Sequence, residues 1–249
     1  MNKDDLLRLI TQYQRNIERY RNAKGYNEQN CRDEFISPLL ECFGWDVHNK
    51  KGTAPQYKEV VVEQFSNKGE RPDYTLTLNG VSKLFVEAKK PAVDITTDPA
   101  PAIQARRYGW NAKHKLSILT NFENMMIYDV TNQPKDEDSV RVSLYRKYHY
   151  LEYLEKYAEI NKLISRKNVY SGEFDQFVNE NFPNVDRYST EVDEIFLQQI
   201  NGWRLEIGEY LYNRYEIYND IDVLNDAVQE FINQISAALA FELRKVLPV

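Results

Sequence analysis

The chain has 249 residues, an ordinary globular composition (42% hydrophobic, 28% charged) and a net charge of −6. That length suits one sizeable core, or one domain with a smaller appendage, and no apolar run approaches the roughly 20 residues needed to cross a bilayer. The acidic average argues weakly against nucleic acid, but it hides an asymmetry: residues 1–148 carry 23 basic and 20 acidic side chains, residues 149–249 carry 9 and 18.

The opening Met1-Asn2-Lys3-Asp4-Asp5-Leu6-Leu7-Arg8 reads as the charged start of an amphipathic helix and not as a signal peptide. Leu6, Leu7, Leu9, Ile10, Tyr13, Ile17 and Tyr20 approximate a 3.6-residue period, which predicts a helix over 3–22 ended by Gly25. Asn27 is a good N-cap for a second helix over 27–43, with Phe35, Ile36, Leu39, Leu40 and Phe43 on one face, and Gly44 stops it. Cys31 and Cys42 would lie about 16 Å apart along that helix, at about 1.5 Å rise per residue. That excludes a disulfide between them, and free thiols predict a cytoplasmic protein.

A β-rich stretch follows. Lys58–Phe65 holds three consecutive valines, and Asp73–Leu78 alternates, with Tyr74, Leu76 and Leu78 on one side. Asn79-Gly80 is a strong type I′ hairpin signal, and Val81–Ala88 is the returning strand. Pro99–Lys113 reads as a helix, then Leu116–Thr120 and Met125–Val130 as strands. The polar loop Pro134–Ser139 is expected to end the core sheet, and from Tyr148 onward the chain reads as helices over 148–165, 174–181, 190–212 and 221–246. These elements predict an α/β class, with a mixed sheet flanked by helices over 1–148 and a helical region over 149–249.

The chemistry gathers at the hairpin. Its first strand opens with Pro72-Asp73 and its second ends with Glu87-Ala88-Lys89. Residues equidistant from a two-residue turn face each other, so Asp73 and Glu87 meet at the open end, give or take one residue. Glu87 and Lys89 share a strand face. Two carboxylates and an ammonium suit phosphodiester hydrolysis. The carboxylates are hard oxygen ligands for Mg²⁺. A neighbouring lysine can orient or deprotonate water, or neutralise the transition state. An isolated E-x-K tripeptide is more often an edge-strand ion pair; the Pro-Asp at the matching end of the paired strand strengthens the catalytic reading. Downstream, Gln104 and Tyr108 are i and i+4 on one helix face, with Arg106 and Arg107 between them.

In combination, Pro72-Asp73, Glu87-Ala88-Lys89 and Gln104-x-x-x-Tyr108 resemble the PD-(D/E)xK nuclease domain of type IIG restriction–modification enzymes. That domain is similar to the nuclease domain of the type I restriction subunit. Further stretches share the likeness: Asn27-Glu28 with Arg32, Phe35-Ile36-x-Pro38-Leu39-Leu40 and Gly44-Trp45; Val86-Glu87-Ala88-Lys89-Lys90-Pro91; Ile118-Leu119-Thr120-Asn121-Phe122-Glu123; and Ile127-Tyr128-Asp129. The helical part, with Asp175-x-Phe177-Val178 and Trp203-Arg204, resembles the connector that follows the nuclease in that group. The resemblance implies a restriction-endonuclease-like fold. It implies Asp73 and Glu87 as Mg²⁺ ligands (Mn²⁺ serving as a substitute), Lys89 as the catalytic lysine, and Gln104 and Tyr108 as supporting or DNA-contacting residues. Glu28 matches a family acid. On the helix it is either a dipole-favourable N-terminal residue or an acid supporting the site, and it is preferred to Glu34.

The resemblance thus implies cleavage of double-stranded DNA by a site-specific, type II deoxyribonuclease domain. Methyltransferase and target-recognition domains or subunits would act as partners, because this chain carries neither a Gly-rich cofactor loop nor Asn-Pro-Pro-Tyr. A repair or recombination nuclease on the same core is the alternative among enzymes. A catalytically inactive DNA-binding or interaction module is the alternative outside them. His48, His114 and His149 have no metal-ligand spacing, so no zinc site is expected.

Overall fold

The computed structural model describes residues 3–22, 24–62, 71–182 and 191–246. The helical stretch predicted over 3–22 is two helices, α1 (Lys3–Arg15) and α2 (Ile17–Asn22), parted at Asn16. The second predicted helix forms as α3 (Glu28–Cys31), a π-helical turn (Arg32–Ile36) and α4 (Ser37–Cys42). Pro38 explains the interruption. It has no N–H to donate, and its ring crowds the carbonyl four residues back, so the helix widens by one residue just before it and Ser37 N–H bonds to Arg32 O. Asn27 caps α3 as expected: its side chain accepts from Asn30 N–H at 2.9 Å, and Asn30 Oδ1 accepts from Asn27 N–H at 3.1 Å.

Among the described residues six strands form one mixed sheet in chain order: β1 (Val60–Val62), β2 (Tyr74–Leu78), β3 (Val81–Ala88), β4 (Leu116–Thr120), β5 (Asn124–Asp129) and β6 (Leu144–His149). The part of the first predicted strand at 63–65 lies outside the described residues. All neighbours are antiparallel except β3 and β4, which are parallel because α5 (Pro99–Asn111) crosses between them. Asn79 and Gly80 both have positive φ, at 54° and 81°, as a type I′ turn requires.

Two layers cover the sheet. On one face Leu6, Tyr13, Phe35, Ile36, Leu39 and Trp45 pack with Tyr74, Leu76, Val86, Ala88, Ile118 and Ile127 in the main core. On the other, Ala102 and Ala105 of α5 pack with Ile95, Leu119, Met126, Tyr128 and Val130. Every residue of β4 is buried, as expected of a strand covered on both faces. Gly109 lets α5 lie close to the sheet: a Cβ there would stand 2.2 Å from Ser117 Oγ and 2.7 Å from Val130 Cγ2.

Beyond Pro134–Ser139 the sheet continues, against expectation. The segment over 144–149 is the edge strand β6, so the helix expected from Tyr148 does not start there. Its exposed Arg146 and Lys147 give the polar character suited to a sheet edge, and its tyrosines and leucine fit a pleat as well as a helix. After β6, the remaining described elements are helical: α6 (Tyr157–Ile164), α7 (Arg166–Tyr170), α8 (Glu173–Asn181), α9 (Glu191–Arg214) and α10 (Ile221–Val246), with two short 3₁₀ turns.

The boundary expected near residue 148 falls at the end of β6, while the chain divides by packing into Met1–Val185 and Asp186–Val249. Ile160, Leu163, Ile164, Val169, Phe174 and Val178 of α6–α8 belong to the main core, and Trp45 Nε1 donates to Ile164 O at 2.7 Å. The second unit pairs α9 with α10 around Leu211, Leu224 and Val228. Among the described residues no helix is long and apolar enough to cross a membrane. Both cysteines are buried and free.

Two expectations follow. Ala in place of Gly109 forces α5 off the sheet and lowers stability by about 1–3 kcal/mol, measurable by urea unfolding. His114 is buried, with Nε2 2.9 Å from Ser82 Oγ, and burial pulls its pKa down to about 4. An unfolded histidine protonates near 6.5, so the unfolded chain takes up the proton first. Stability therefore falls as pH drops from about 6.5 to 4, by at most about 3 kcal/mol for this group. His114→Gln is expected to flatten that part of the stability–pH curve; an unchanged curve would assign the loss to other groups.

Candidate active site

The register of the β2–β3 hairpin decides which residues meet. Leu78 pairs with Val81 and Thr77 with Ser82, but Leu76 pairs with Leu84, so a one-residue bulge passes over Lys83. Tyr74 then faces Val86, and one step further sets Asp73 opposite Glu87. Without the bulge Asp73 would oppose Val86, whose side chain belongs to the main core. The ambiguity of one residue in the sequence reading is resolved by this bulge.

Asp73 is held from two directions. Its Oδ2 accepts the Ala88 N–H at 2.8 Å, and its Oδ1 accepts from Arg32 Nη1 at 2.9 Å. Glu87 is 3% exposed, and its Oε1 lies 2.5 Å from Lys89 Nζ. Its other oxygen, Oε2, is buried and has no hydrogen-bond partner among the described residues, a costly state for a carboxylate oxygen. Burial, and next the charge of Asp73, raise the Glu87 pKa to about 7, while Lys89 opposes that rise. Burial alone would lower the Lys89 pKa; Glu87, Glu28 and Asp73 outweigh it, so the ammonium stays charged.

Glu28 reaches the same place from the first turn of α3, with Oε2 3.7 Å from Lys89 Nζ. Its pKa is raised, chiefly by burial, against the pull of Lys89. Glu28 thus stands at a helix start and beside Lys89 at once. Lys89 is thus bracketed by Glu87 and Glu28, and its backbone N–H is fixed by Thr120 O at 2.9 Å.

Gln104 and Tyr108 are joined to each other, Gln104 Nε2 donating to Tyr108 OH at 2.9 Å on α5, which packs on β3 and β4. Arg106 and Arg107, lying between them, pair with Asp138 and Asp136, each at 2.7 Å. The contact that sequence reasoning did not assign is that of Arg32. It was visible as part of the Glu28 stretch, but nothing in spacing connects it with Asp73, 41 positions later.

The donor set fits a hard divalent cation. It offers two carboxylates at the end of one strand pair, one of them with a buried oxygen that no group among the described residues satisfies. Among the described residues no group of three or more His, Cys, Asp or Glu is arranged to hold a metal by itself. Mg²⁺ needs no such cage, because it is usually bound through one or two carboxylates with waters and substrate phosphate completing the shell.

Comparison with known proteins gives two likenesses. Residues 58–136 match the family described as the type I restriction enzyme R protein N terminus; that span includes Asp73, Glu87, Lys89, Gln104 and Tyr108 but not Glu28 or Arg32. The chain is also similar to the type II restriction enzyme and methyltransferase RM.Eco57I of Escherichia coli, with 45% identity over 239 residues. That alignment covers 94% of this chain and 23% of the relative, so the chain spans about a quarter of that protein's length. No solved structure matches the chain.

Proposed function

We propose that this chain, a relative of type II restriction–methyltransferase enzymes and of the type I restriction R protein N terminus, is the Mg²⁺-dependent endonuclease part of a restriction–modification enzyme that cleaves double-stranded DNA. The observation that carries the proposal is the buried, unpartnered Oε2 of Glu87 beside Asp73 and Lys89. An open, buried carboxylate oxygen beside a second carboxylate and a lysine suits a metal ligand.

In this reading Asp73 and Glu87 hold the metal. When bound, Mg²⁺ polarises the scissile phosphate and acidifies its water. Lys89, charged and bracketed by Glu87 and Glu28, holds the attacking water or screens the charge that builds on the phosphate. An ammonium has no lone pair and is no metal ligand while charged. Glu28 helps keep Lys89 in place, its carboxylate 3.7 Å from the ammonium. Gln104 and Tyr108, hydrogen-bonded to each other on α5, act in this reading as supporting or DNA-contacting residues. The methyltransferase and target-recognition functions would come from parts beyond this chain, as the fused relative's name implies for the former.

Crystals soaked in Mn²⁺ are expected to show metal density beside Glu87 Oε2; density elsewhere, with none at Glu87, would remove the metal assignment. Asp73→Ala and Glu87→Ala are expected to lose both Mn²⁺ binding by calorimetry and DNA cleavage. Lys89→Ala is expected to keep most of the metal binding while cleavage falls on the order of 10²–10⁴-fold, assayed on plasmid DNA with the methyltransferase and recognition parts present. Near wild-type cutting by Lys89→Ala would take the lysine out of the mechanism.

A further inference from the structure

Arg32 is only 3% exposed. A guanidinium taken that far out of water needs specific partners, and two of its contacts fall on Asp73. Its Nη1 donates to Asp73 Oδ1 at 2.9 Å, and its Nη2 lies 3.4 Å from the main-chain oxygen of Asp73. The guanidinium carbon also stands 5.1 Å from the centroid of the Tyr74 ring, the next residue along β2.

The backbone beneath Arg32 is fixed as well. It begins the π-helical turn that Pro38 imposes, and its carbonyl accepts the Ser37 N–H. Tyr74 OH lies 2.9 Å from Ser37 Oγ and donates toward Arg32 O at 3.4 Å. Ser37 is itself buried. Helix and strand are therefore locked together through Ser37 and Tyr74, with the arginine side chain aimed at Asp73. π-turns inside α-helices occur often at functional sites, and here the extra residue sets the direction of a buried charge.

We propose that Arg32 is a positioning residue: it orients the Asp73 carboxylate for the metal and offsets the repulsion between Asp73 and Glu87. This inference rests on the proposed metal role of Asp73 and Glu87. Arg32 fixes Oδ1 from the helix side, and the Ala88 N–H fixes Oδ2 from the strand side, so the plane of the carboxylate is set before any ligand arrives. A lysine could supply the charge but not the fork that reaches both the side chain and the main chain of Asp73.

The test uses Arg32→Met, Arg32→Lys and Asp73→Asn in the full chain, each checked for folding by circular dichroism and then titrated calorimetrically with Mn²⁺. Partners that hold a metal ligand from behind typically contribute 10–100-fold in metal affinity. Arg32→Met is expected to bind Mn²⁺ weaker by that factor, Arg32→Lys to fall between it and the wild type, and Asp73→Asn to lose binding. A purely structural role would lower thermal stability without moving the Mn²⁺ affinity of the folded variant. A folded Arg32→Met with wild-type affinity, alongside an Asp73→Asn that no longer binds, overturns the role of Arg32 and leaves the metal site standing. Wild-type affinity in Asp73→Asn overturns the metal site itself, and this inference with it. Should Arg32→Met fail to fold, Arg32→Lys decides: a several-fold weaker affinity supports the inference, and wild-type affinity overturns it.

Discussion

Asp73 and Glu87 carry like charges and are pressed together where water is largely excluded, and much of the surrounding structure serves to make that tolerable. Burial raises the proton affinity of Glu87, and the charge of Asp73 adds to the effect. The Glu87 pKa, lifted to about 7, records both influences. Lys89 answers from the same strand and Arg32 from the helix side, one beside each carboxylate. Each cation contacts its own acid, so neither carboxylate is left as an isolated buried charge, the arrangement that costs most.

Geometry of this kind depends on a rigid frame, and β3 supplies it. The strand is central, bonded to β2 by an antiparallel ladder and to β4 by a parallel one. The bulge over Lys83 rotates the register so that Asp73 faces a carboxylate rather than the core. The passed-over Lys83 is itself used, pairing with Asp175 of α8 at 2.8 Å. The close seat of α5 at Gly109 and the Lys89 N–H bond to Thr120 O fix the far side of the site.

The same frame extends to the helices. Glu123, in the β4–β5 turn, accepts from Tyr13 OH at 3.1 Å and Arg21 Nε at 2.9 Å, tying α1 and α2 to the turn that follows Thr120. Tyr153 OH donates to Phe122 O at 2.7 Å in the same turn. Arg166 Nε stands 2.8 Å from Glu59 Oε1 at the foot of β1, where Lys51 also reaches Glu59 at 3.3 Å. Ile160, Leu163, Ile164, Val169, Phe174 and Val178 pack in the main core, so α6–α8 share the core of the sheet although their sequence reads as a separate run of tyrosine- and leucine-rich helices.

The sequence by itself determined the α/β class, the hairpin turn at Asn79-Gly80, the limits of β3, β4 and α10, and the capping of α3 by Asn27, because each rests on local preferences: periodicity, a two-residue turn, a side chain reaching its own backbone. It also brought Asp73, Glu87 and Lys89 to one end of one hairpin, since strand parity and distance from a tight turn are readable along the chain. Only the tertiary structure decided the rest. The bulge at Lys83 is set by the packing of the Tyr74 and Val86 side into the core, which no local rule states. The strand β6 exists because β5 offers it an edge; its own residues suit either state. Arg32 meets Asp73 because a proline widens a helix and a tyrosine and a serine lock that helix to a strand. Contacts between residues so far apart in sequence depend on where the core places each element, and that is fixed only when the whole chain packs.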